Sequence, residues 1–250
     1  MYKLRLCILG SGSKGNATYY EPHGDGHGFI IDYGFPDKRI EHGLSGINKV
    51  SERNVHAILI SHEHGDHRPK NKPHLTIDGH FKAKDGKYFS FSPECLITRF
   101  PLVHNVPCFG FLIEAEQSRV AHITDTGEVP DESMPLLSGL HALVIEANWD
   151  EVLIEDMINN DQIPLSRVEH SMDDHFSNQQ MAELVKEVAW SGLEYIVLIH
   201  LSESNNTPEL AQQAAEAALG EYSIKNGGQC RVVVSGQDKA TQLIILKGDV

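Results

Sequence analysis

Four side chains of the kinds that bind metal ions stand within six residues, directly after a short apolar segment. Residues 56–60 form a predicted strand, and Ser61-His62-Glu63-His64-Gly65-Asp66-His67 follows it. In an extended segment His62 and His64 project to the same side, whereas the bend that Gly65 allows turns Asp66 and His67 towards a second point. One loop can therefore supply two metal ions. Imidazole and carboxylate suit zinc and equally manganese, iron or nickel, so the ligand types leave the ion open.

Two helices are predicted in the second half of the chain. The capping box Ser177-Asn-Gln-Gln180 opens the first, which runs to Ala189. Thr207 is a natural N-cap for the second, Pro208 occupies its first turn, and an alanine-rich run continues to Leu219. Both patterns therefore predict helices that follow strands.

Short apolar segments predict strands throughout the chain. Besides 56–60 they lie at residues 3–9, 29–31, 108–114, 119–123, 143–146, 195–199, 231–234 and 242–246. Strands early and helices later predict an α/β sandwich in which helices cover a pair of sheets. A doubly wound parallel sheet is the alternative, although the hairpin-like spacing of 108–114 and 119–123 argues against it. Without a repeat or a long linker, residues 1–250 are predicted to form one domain.

No segment of the sequence predicts a membrane span or export. No run approaches the ~20 apolar residues that cross a bilayer, and residues 1–9 carry charges inside their apolar stretch without a small-residue cleavage site. Neither a metal motif nor a dense disulfide framework is formed by Cys7, Cys95, Cys108 and Cys230. We therefore expect a cytoplasmic protein with reduced thiols.

The net charge of −14 disfavours a chain that wraps nucleic acid with its whole surface. Residues 68–87 depart from this balance, since six basic residues stand against two acidic ones and give a local charge of +4. The basic residues are Arg68, Lys70, Lys72, Lys82, Lys84 and Lys87. This strip predicts a phosphate-facing surface, with a solvated lysine-rich loop as the alternative.

The pattern His-x-His-x-Asp-His after an apolar strand resembles the signature of the metallo-β-lactamase superfamily. The resemblance implies an αββα sandwich, two mixed sheets covered by helices, with a dinuclear site at one edge. It also implies a later His, Asp and His at strand ends, where this chain has His104, Asp125 and His200. The implied ligand sets are His62, His64 and His104 for one ion, Asp66, His67 and His200 for the other, and Asp125 as the bridge.

The resemblance implies a hydrolase with two divalent metal ions. Zinc and manganese are favoured over iron and nickel. Two cations depress the pKa of the water between them, so that a metal-bridging hydroxide can attack an ester, amide or phosphodiester centre at neutral pH. A metal-bound interaction protein without activity is a third class, disfavoured because the ligand set is complete.

Further stretches resemble one branch of the superfamily, the YycJ/WalJ-like proteins, whose members include DNA exonucleases. They are residues 9–16, 31–34, 124–127, 146–148 with Asp150, 175–178 and 200–206. The chain departs from that branch at Asn105, where an acidic residue is common, and at Trp149, where a His commonly precedes the Asp. Residues 68–87 also differ from the usual continuation. These differences affect the expected identity of the substrate more than the expected binding of metal ions.

The predicted catalytic residues are Asp66 and His175. His175 precedes the helix that Ser177 caps, where the helix dipole favours an anion, and in related phosphodiesterases a non-ligand His contacts the scissile phosphate or protonates the leaving oxygen. For His175 the alternative is a surface His without a role. Asn205 and Asn206, which follow His200, are candidates for substrate contact, and a turn before the Thr207 cap explains them equally well.

The predicted function is a metal-dependent phosphodiesterase or exonuclease with a nucleic acid substrate, single-stranded DNA being favoured. The alternative is a small-molecule metallohydrolase: a cyclic-nucleotide phosphodiesterase, thioesterase or lactonase. No membrane partner is expected, and a homodimer is left open because small members of the superfamily often dimerise.

Overall fold

The computed structural model describes residues 3–47, 50–69, 88–160, 162, 168, 172–226 and 230–248. Most of the predicted basic strip, from Lys70 to Lys87, lies outside the described residues. No helix in the described part of the chain is long and apolar enough to cross a membrane.

In the described residues, twelve strands form two mixed sheets. They are β1 (Arg5–Gly10), β2 (Ala17–Glu21), β3 (Gly28–Ile31), β4 (Val55–Leu59), β5 (Tyr88–Ser92), β6 (Cys95–Leu102), β7 (Cys108–Ala115), β8 (Ser118–Ile123), β9 (Ala142–Glu146), β10 (Tyr195–Ile199), β11 (Arg231–Val234) and β12 (Ile244–Ile245). The first sheet has the order β12-β1-β2-β3-β4, and the second has the order β11-β10-β9-β8-β7-β6-β5. Antiparallel pairs run from β12 to β3 and from β5 to β8, whereas β3 with β4 and β8 to β11 pair in parallel.

Four α-helices accompany the strands in the described residues: α1 (Asp37–Ser45), α2 (Glu151–Asn159), α3 (Asn178–Val188) and α4 (Pro208–Asn226). The predicted capping box is present at the start of α3, where the Ser177 side chain accepts from the Gln180 amide. The predicted second helix begins at Pro208 as expected but continues beyond Leu219 to Asn226. Short 3₁₀ turns lie at Glu52–Asn54 and Met134–Leu137.

Three apolar layers hold these elements together. Leu6, Ile31 and Leu59 of the first sheet meet Ile113, Val144 and Val197 of the second in the central core. Ile40 and Leu44 place α1 on the outer face of the first sheet. Met181 and Val185 of α3, with Ala211 and Ala215 of α4, pack against the outer face of the second sheet. The layer order is therefore helix, sheet, sheet, helix, which confirms the predicted αββα sandwich.

Five elements were not predicted from the sequence, namely β2, β5, β6, α1 and α2. All five residues of β2 are buried, so the strand lacks the polar alternation that marks a half-buried strand. α1 begins after Pro36, which has no side-chain cap hydrogen bond, and therefore lacks a start signal of the kind that Ser177 gives α3. The predicted doubly wound alternative is wrong, because the chain forms two sheets with antiparallel pairs.

Candidate metal centre

Functional side chains stand at the carboxyl ends of strands along one edge of the sandwich. Since β3 pairs in parallel with β4, and β8, β9 and β10 pair in parallel, their carboxyl ends lie side by side. β6 points the same way, because two antiparallel steps separate it from β8. The side chains at these ends are Asp32, the 61–67 loop, His104, Asp125, Glu146 and His200.

Three of these residues have left-handed backbone conformations. The φ angles are 58° at Asp32, 49° at Asp125 and 53° at His200. Such angles are uncommon for residues other than glycine and persist where the surrounding structure holds them, often at functional sites. Backbone strain is therefore concentrated where strands end in candidate ligands.

The first cluster consists of three imidazoles. His62 Nε2 lies 2.9 Å from His64 Nδ1, and His104 Nε2 lies 3.4 Å from that same atom. The other ring nitrogens of two members are occupied, because His62 Nδ1 is 3.0 Å from Ser61 Oγ and His104 Nδ1 is 3.1 Å from the Asp174 carbonyl oxygen. Burial lowers the pKa of His62 to about 4 and lowers that of His104, so both rings are neutral, as metal ligands must be.

The second cluster combines carboxylates with imidazoles. His67 Nε2 lies 3.4 Å from both Asp66 Oδ2 and Asp125 Oδ2, and His200 belongs to the same group of converging ligand atoms. Asp125 Oδ2 is also 3.8 Å from His62 Nε2 in the first cluster. The Asp125 carboxylate therefore lies between the two clusters, which is where the resemblance put the bridging residue.

Asp32 fixes the orientation of His67. Its Oδ2 accepts a hydrogen bond from His67 Nδ1 at 2.7 Å, and its two oxygens accept from the amide and hydroxyl of Ser61, each at 2.8 Å. His67 therefore turns Nε2 towards the cluster. Gly34, two residues after Asp32, is required by close approach, since a Cβ there would lie 1.6 Å from the Asp66 carbonyl oxygen.

This donor set fits divalent metal ions. Neutral imidazoles and ionised carboxylates are the ligands of zinc and of other transition metals. Nε2 of His200 is buried and has no hydrogen-bond partner among the described residues, and such an atom is costly unless it holds a ligand. Burial would lower the pKa of His67, but Asp125 and Asp32 raise it well above its ordinary value. The carboxylates of Asp125 and Asp32 thus favour a positive charge at the second cluster.

Glu146 connects His200 to His175. It is fully buried, and its Oε1 accepts from His175 Nδ1 at 2.7 Å and from His200 Nδ1 at 2.6 Å. Its Oε2 accepts from the amides of Thr126 and Phe176. In the sequence Glu146 stands out only as part of a motif, and this role was not predicted. Burial lowers the pKa of His175, but Glu146 more than offsets this and raises it to about 9.

The two positions that depart from the YycJ/WalJ-like pattern both support the segment that carries His175. The Trp149 indole donates to the His175 carbonyl oxygen at 2.9 Å, and Asn105 Nδ2 donates to Asp174 Oδ2 at 2.7 Å. The same Asp174 supplies the carbonyl oxygen beside His104. His175 is thus held next to the first cluster, with ring centroids of His104 and His175 5.7 Å apart.

A cavity of about 430 Å³ opens onto both clusters. Its lining includes His64, Asp125, His175 and His200 together with Asn205. Asn206, in contrast, lies in a buried network and donates to the Ala147 carbonyl oxygen at 2.8 Å. The structure thus brings all seven predicted ligands and His175 to one place, whereas Asn206 has a structural role, as the turn interpretation predicts.

A sandwich of this kind, with paired ligand clusters at its edge, defines a metal-dependent hydrolase. A family profile described as the beta-lactamase superfamily domain matches residues 69–201, and the metallo-beta-lactamase superfamily profile matches residues 10–68. The chain belongs to the metallo-β-lactamase superfamily, which confirms the resemblance.

Relatives similar in sequence extend over nearly the whole chain. Exodeoxyribonuclease YycJ of Bacillus anthracis is 27% identical, with 90% of this chain and 92% of the relative covered. Exodeoxyribonuclease WalJ of Streptococcus pneumoniae is 28% identical, with 96% and 97% covered. The predicted YycJ/WalJ-like character is therefore confirmed.

Solved structures share the fold at low identity. The metallo-beta-lactamase fold protein YhfI of Bacillus subtilis superposes with a TM-score of 0.64 at 14% identity, covering 96% of this chain and 99% of that one. Human tRNase Z, short form, gives a TM-score of 0.60 at 14% identity, covering 95% and 98%. These likenesses concern the fold alone.

Proposed function

We propose that the chain is a phosphodiesterase that holds two divalent metal ions and shortens nucleic acid from an end, with single-stranded DNA as the favoured substrate. The names of the YycJ and WalJ relatives support this substrate class. The observation that carries the proposal is the hydrogen bond between His175 and Glu146, because it holds His175 as a proton donor beside the candidate metal ligands.

A phosphodiester in nucleic acid is a demanding substrate because its leaving group is an alkoxide. Such a group needs a proton as its bond to phosphorus breaks, and a general acid in hydrogen-bond reach supplies it. His175 lines the cavity, and Glu146 occupies its Nδ1. Nε2 is therefore the ring nitrogen available to protonate the leaving oxygen, as the sequence predicts for His175.

We assign the ligand roles from the two clusters. His62, His64 and His104 would hold one ion, Asp66, His67 and His200 would hold the other, and Asp125 would be shared by both sets. Bound divalent cations would neutralise the phosphate and activate water for attack. Zinc and manganese are the favoured ions, with iron and nickel as alternatives.

The protein's own residues supply orientation and charge. Asp32 holds His67, and Glu146 holds His200 and His175 in one hydrogen-bonded series. Because Glu146 is fully buried, its charge acts on both imidazoles in a low-dielectric setting. Asp66, a predicted catalytic residue, adds a carboxylate at the cavity wall.

A small-molecule metallohydrolase is the second candidate, and one observation favours it. Among the described residues that line the cavity, none is lysine or arginine, although a polyanion gains affinity from such residues. A cyclic nucleotide, thioester or lactone would need fewer of these contacts.

The deciding experiment follows an end-labelled, 5′-phosphorylated single-stranded DNA incubated with manganese-loaded protein. Asp66→Ala is the test variant, and Asp25→Ala is the matched control, since Asp25 lies in the turn between β2 and β3 at the opposite edge. Stepwise shortening by the wild type and Asp25→Ala, but not by Asp66→Ala, is expected. No shortening with confirmed metal occupancy would refute the nuclease proposal in favour of small substrates.

The cytoplasmic location, the single domain spanning residues 1–250 and the homodimer stay predictions.

A further inference from the structure

We propose that Lys14 binds a backbone phosphate next to the scissile one, and that Glu203 competes with that phosphate for Lys14. The inference rests on the proposed action on nucleic acid. It makes Lys14 a determinant of specificity for polymers over small phosphodiesters.

The Lys14 ammonium is held beside the cavity by Glu203, a residue of the cavity lining. Lys14 Nζ donates to Glu203 Oε1 at 2.8 Å and to Oε2 at 3.0 Å. Glu203 lines the cavity, and so does Ser13, the residue before Lys14. The ion pair joins the loop after β1 to the loop after β10, so it bridges two segments beside the candidate metal centre.

The loop that carries Lys14 is held in one conformation by its own hydrogen bonds. Asn16 Oδ1 accepts from Ser11 Oγ at 2.8 Å and from the Gly12 amide at 3.0 Å. Gly12 has φ +149°, and a Cβ there would lie 2.5 Å from the Gln237 side chain. A loop fixed in this way presents Lys14 without a further loss of backbone freedom on binding.

The charge around the cavity explains why a second phosphate needs Lys14. Among the described residues that line the cavity, four are acidic, namely Asp66, Asp125, Asp174 and Glu203. Bound metal ions would offset the negative charge of the carboxylates that hold them. A phosphate further along the nucleic acid strand would still be repelled by the charge of Glu203. The described lining residues include no lysine or arginine, and the ammonium bonded to Glu203 is a cation placed to receive that phosphate.

Replacement of Glu203 by a phosphate as the partner of Lys14 costs little free energy. The side chains of Lys14 and Glu203 are 61% and 56% exposed, and ion pairs between exposed side chains add little to stability. Arg68, beyond the 61–67 loop, is likewise exposed and paired with Glu63. A polyanion can therefore displace either glutamate, whereas a substrate with one phosphate gains nothing from doing so.

The test compares Lys14→Gln with Glu203→Gln in the metal-loaded protein. Lys247→Gln is the matched control, since the Lys247 amide donates to Glu194, at the end of β10 opposite to His200. The probe is a fluorescent phosphorothioate single strand, which resists cleavage, followed by anisotropy from 50 to 200 mM salt. Each phosphate contact contributes about 0.7 to the slope of log affinity against log salt for single strands.

We expect Lys14→Gln to lower that slope by about 0.7 and to weaken binding at low salt by about three-fold or more. Glu203→Gln should strengthen binding, and Lys247→Gln should match the wild type. In cleavage assays Lys14→Gln should raise KM for the strand at similar kcat, and leave KM for a mononucleotide diester where it was.

Each outcome is decisive. Equal slopes for the wild type and Lys14→Gln overturn the role of Lys14, whether or not the strand is cleaved. Binding that shows the expected slope change, without cleavage of an ordinary strand, supports Lys14 and refutes the proposed nuclease activity alone. A wild type that does not bind single strands refutes both proposals.

Discussion

The His175→Ala variant gives the sharpest test of how the centre works, because it removes the proposed proton donor and none of the seven predicted metal ligands. His175 stands on a segment held by the Trp149 indole at 2.9 Å and by the amide of Phe176 bonded to Glu146 at 3.3 Å. Both contacts use the backbone or Glu146, so they survive truncation of the imidazole. The fold and the metal clusters are therefore expected to persist.

The magnitude follows from the chemistry of the leaving group. A general acid contributes about 10²- to 10⁴-fold, or about 3–5 kcal/mol of transition-state stabilisation. His175→Ala should lose rate in this range on DNA, whose leaving group is an alkoxide. On a p-nitrophenyl phosphodiester the loss should stay below about ten-fold, since p-nitrophenolate departs without a proton.

The assay measures kcat/KM for both substrates, with metal content determined for every preparation. Glu146→Gln is the companion variant: it keeps the shape of Glu146 but removes the charge shared by His175 and His200. Its loss should also depend on the leaving group and be smaller than that of His175→Ala. Equal losses of His175→Ala on both substrates, at unchanged metal content, would refute the proton-donor role.

Three further predictions concern metal and stability. Chelation should lower the melting temperature by about 11–22 °C, because each of the two ions at about 100 times its Kd adds about 2.7 kcal/mol and chains of this size shift by about 2–4 °C per kcal/mol; an unchanged melting curve would contradict a metal centre. Asp32→Asn should weaken metal binding by about 10- to 100-fold in a competition titration, because Asp32 orients His67, and equal affinity would rule that role out. Stability should fall between about pH 6.5 and pH 4, since burial lowers the pKa of His122 to about 4 and the unfolded chain takes up the proton first. The loss is up to about 3 kcal/mol, and urea unfolding of metal-free wild type and His122→Asn at pH 7 and 4.5 measures it; identical pH dependence would count against this account.

Four of the seven candidate ligands have a local signal in the sequence, and the other three follow from the family resemblance. The 61–67 loop concentrates four of them, and His104, Asp125 and His200 stand within two residues of strand ends. Apolar runs predict the strands before Asp125 and His200, whereas β6, which precedes His104, was not predicted. Residues 70–87, in contrast, lie outside the described residues, so the phosphate-facing role of the basic strip stays a prediction.

The roles of Trp149 and Asn105 could not be read from the sequence. Trp149 contacts a residue 26 positions away, and Asn105 contacts one 69 positions away. Both contacts are made to the segment before α3. A comparison of motifs marks the two positions as unusual, but only the packed structure shows that both hold the segment of His175.

Glu146 shows which properties of a buried functional group can be predicted from the sequence and which depend on the packed structure. Glu146 ends β9, whose residues are all buried, and an unpaired buried carboxylate costs several kcal/mol. An acidic residue in such a strand thus predicts several hydrogen-bond donors nearby. Their identity depends on register: Glu146 pairs with Ile199, so His200 lies one residue beyond on the adjacent strand. A slip of one residue would turn the Glu146 side chain to the other face of the sheet, and the link between His175 and His200 would be lost.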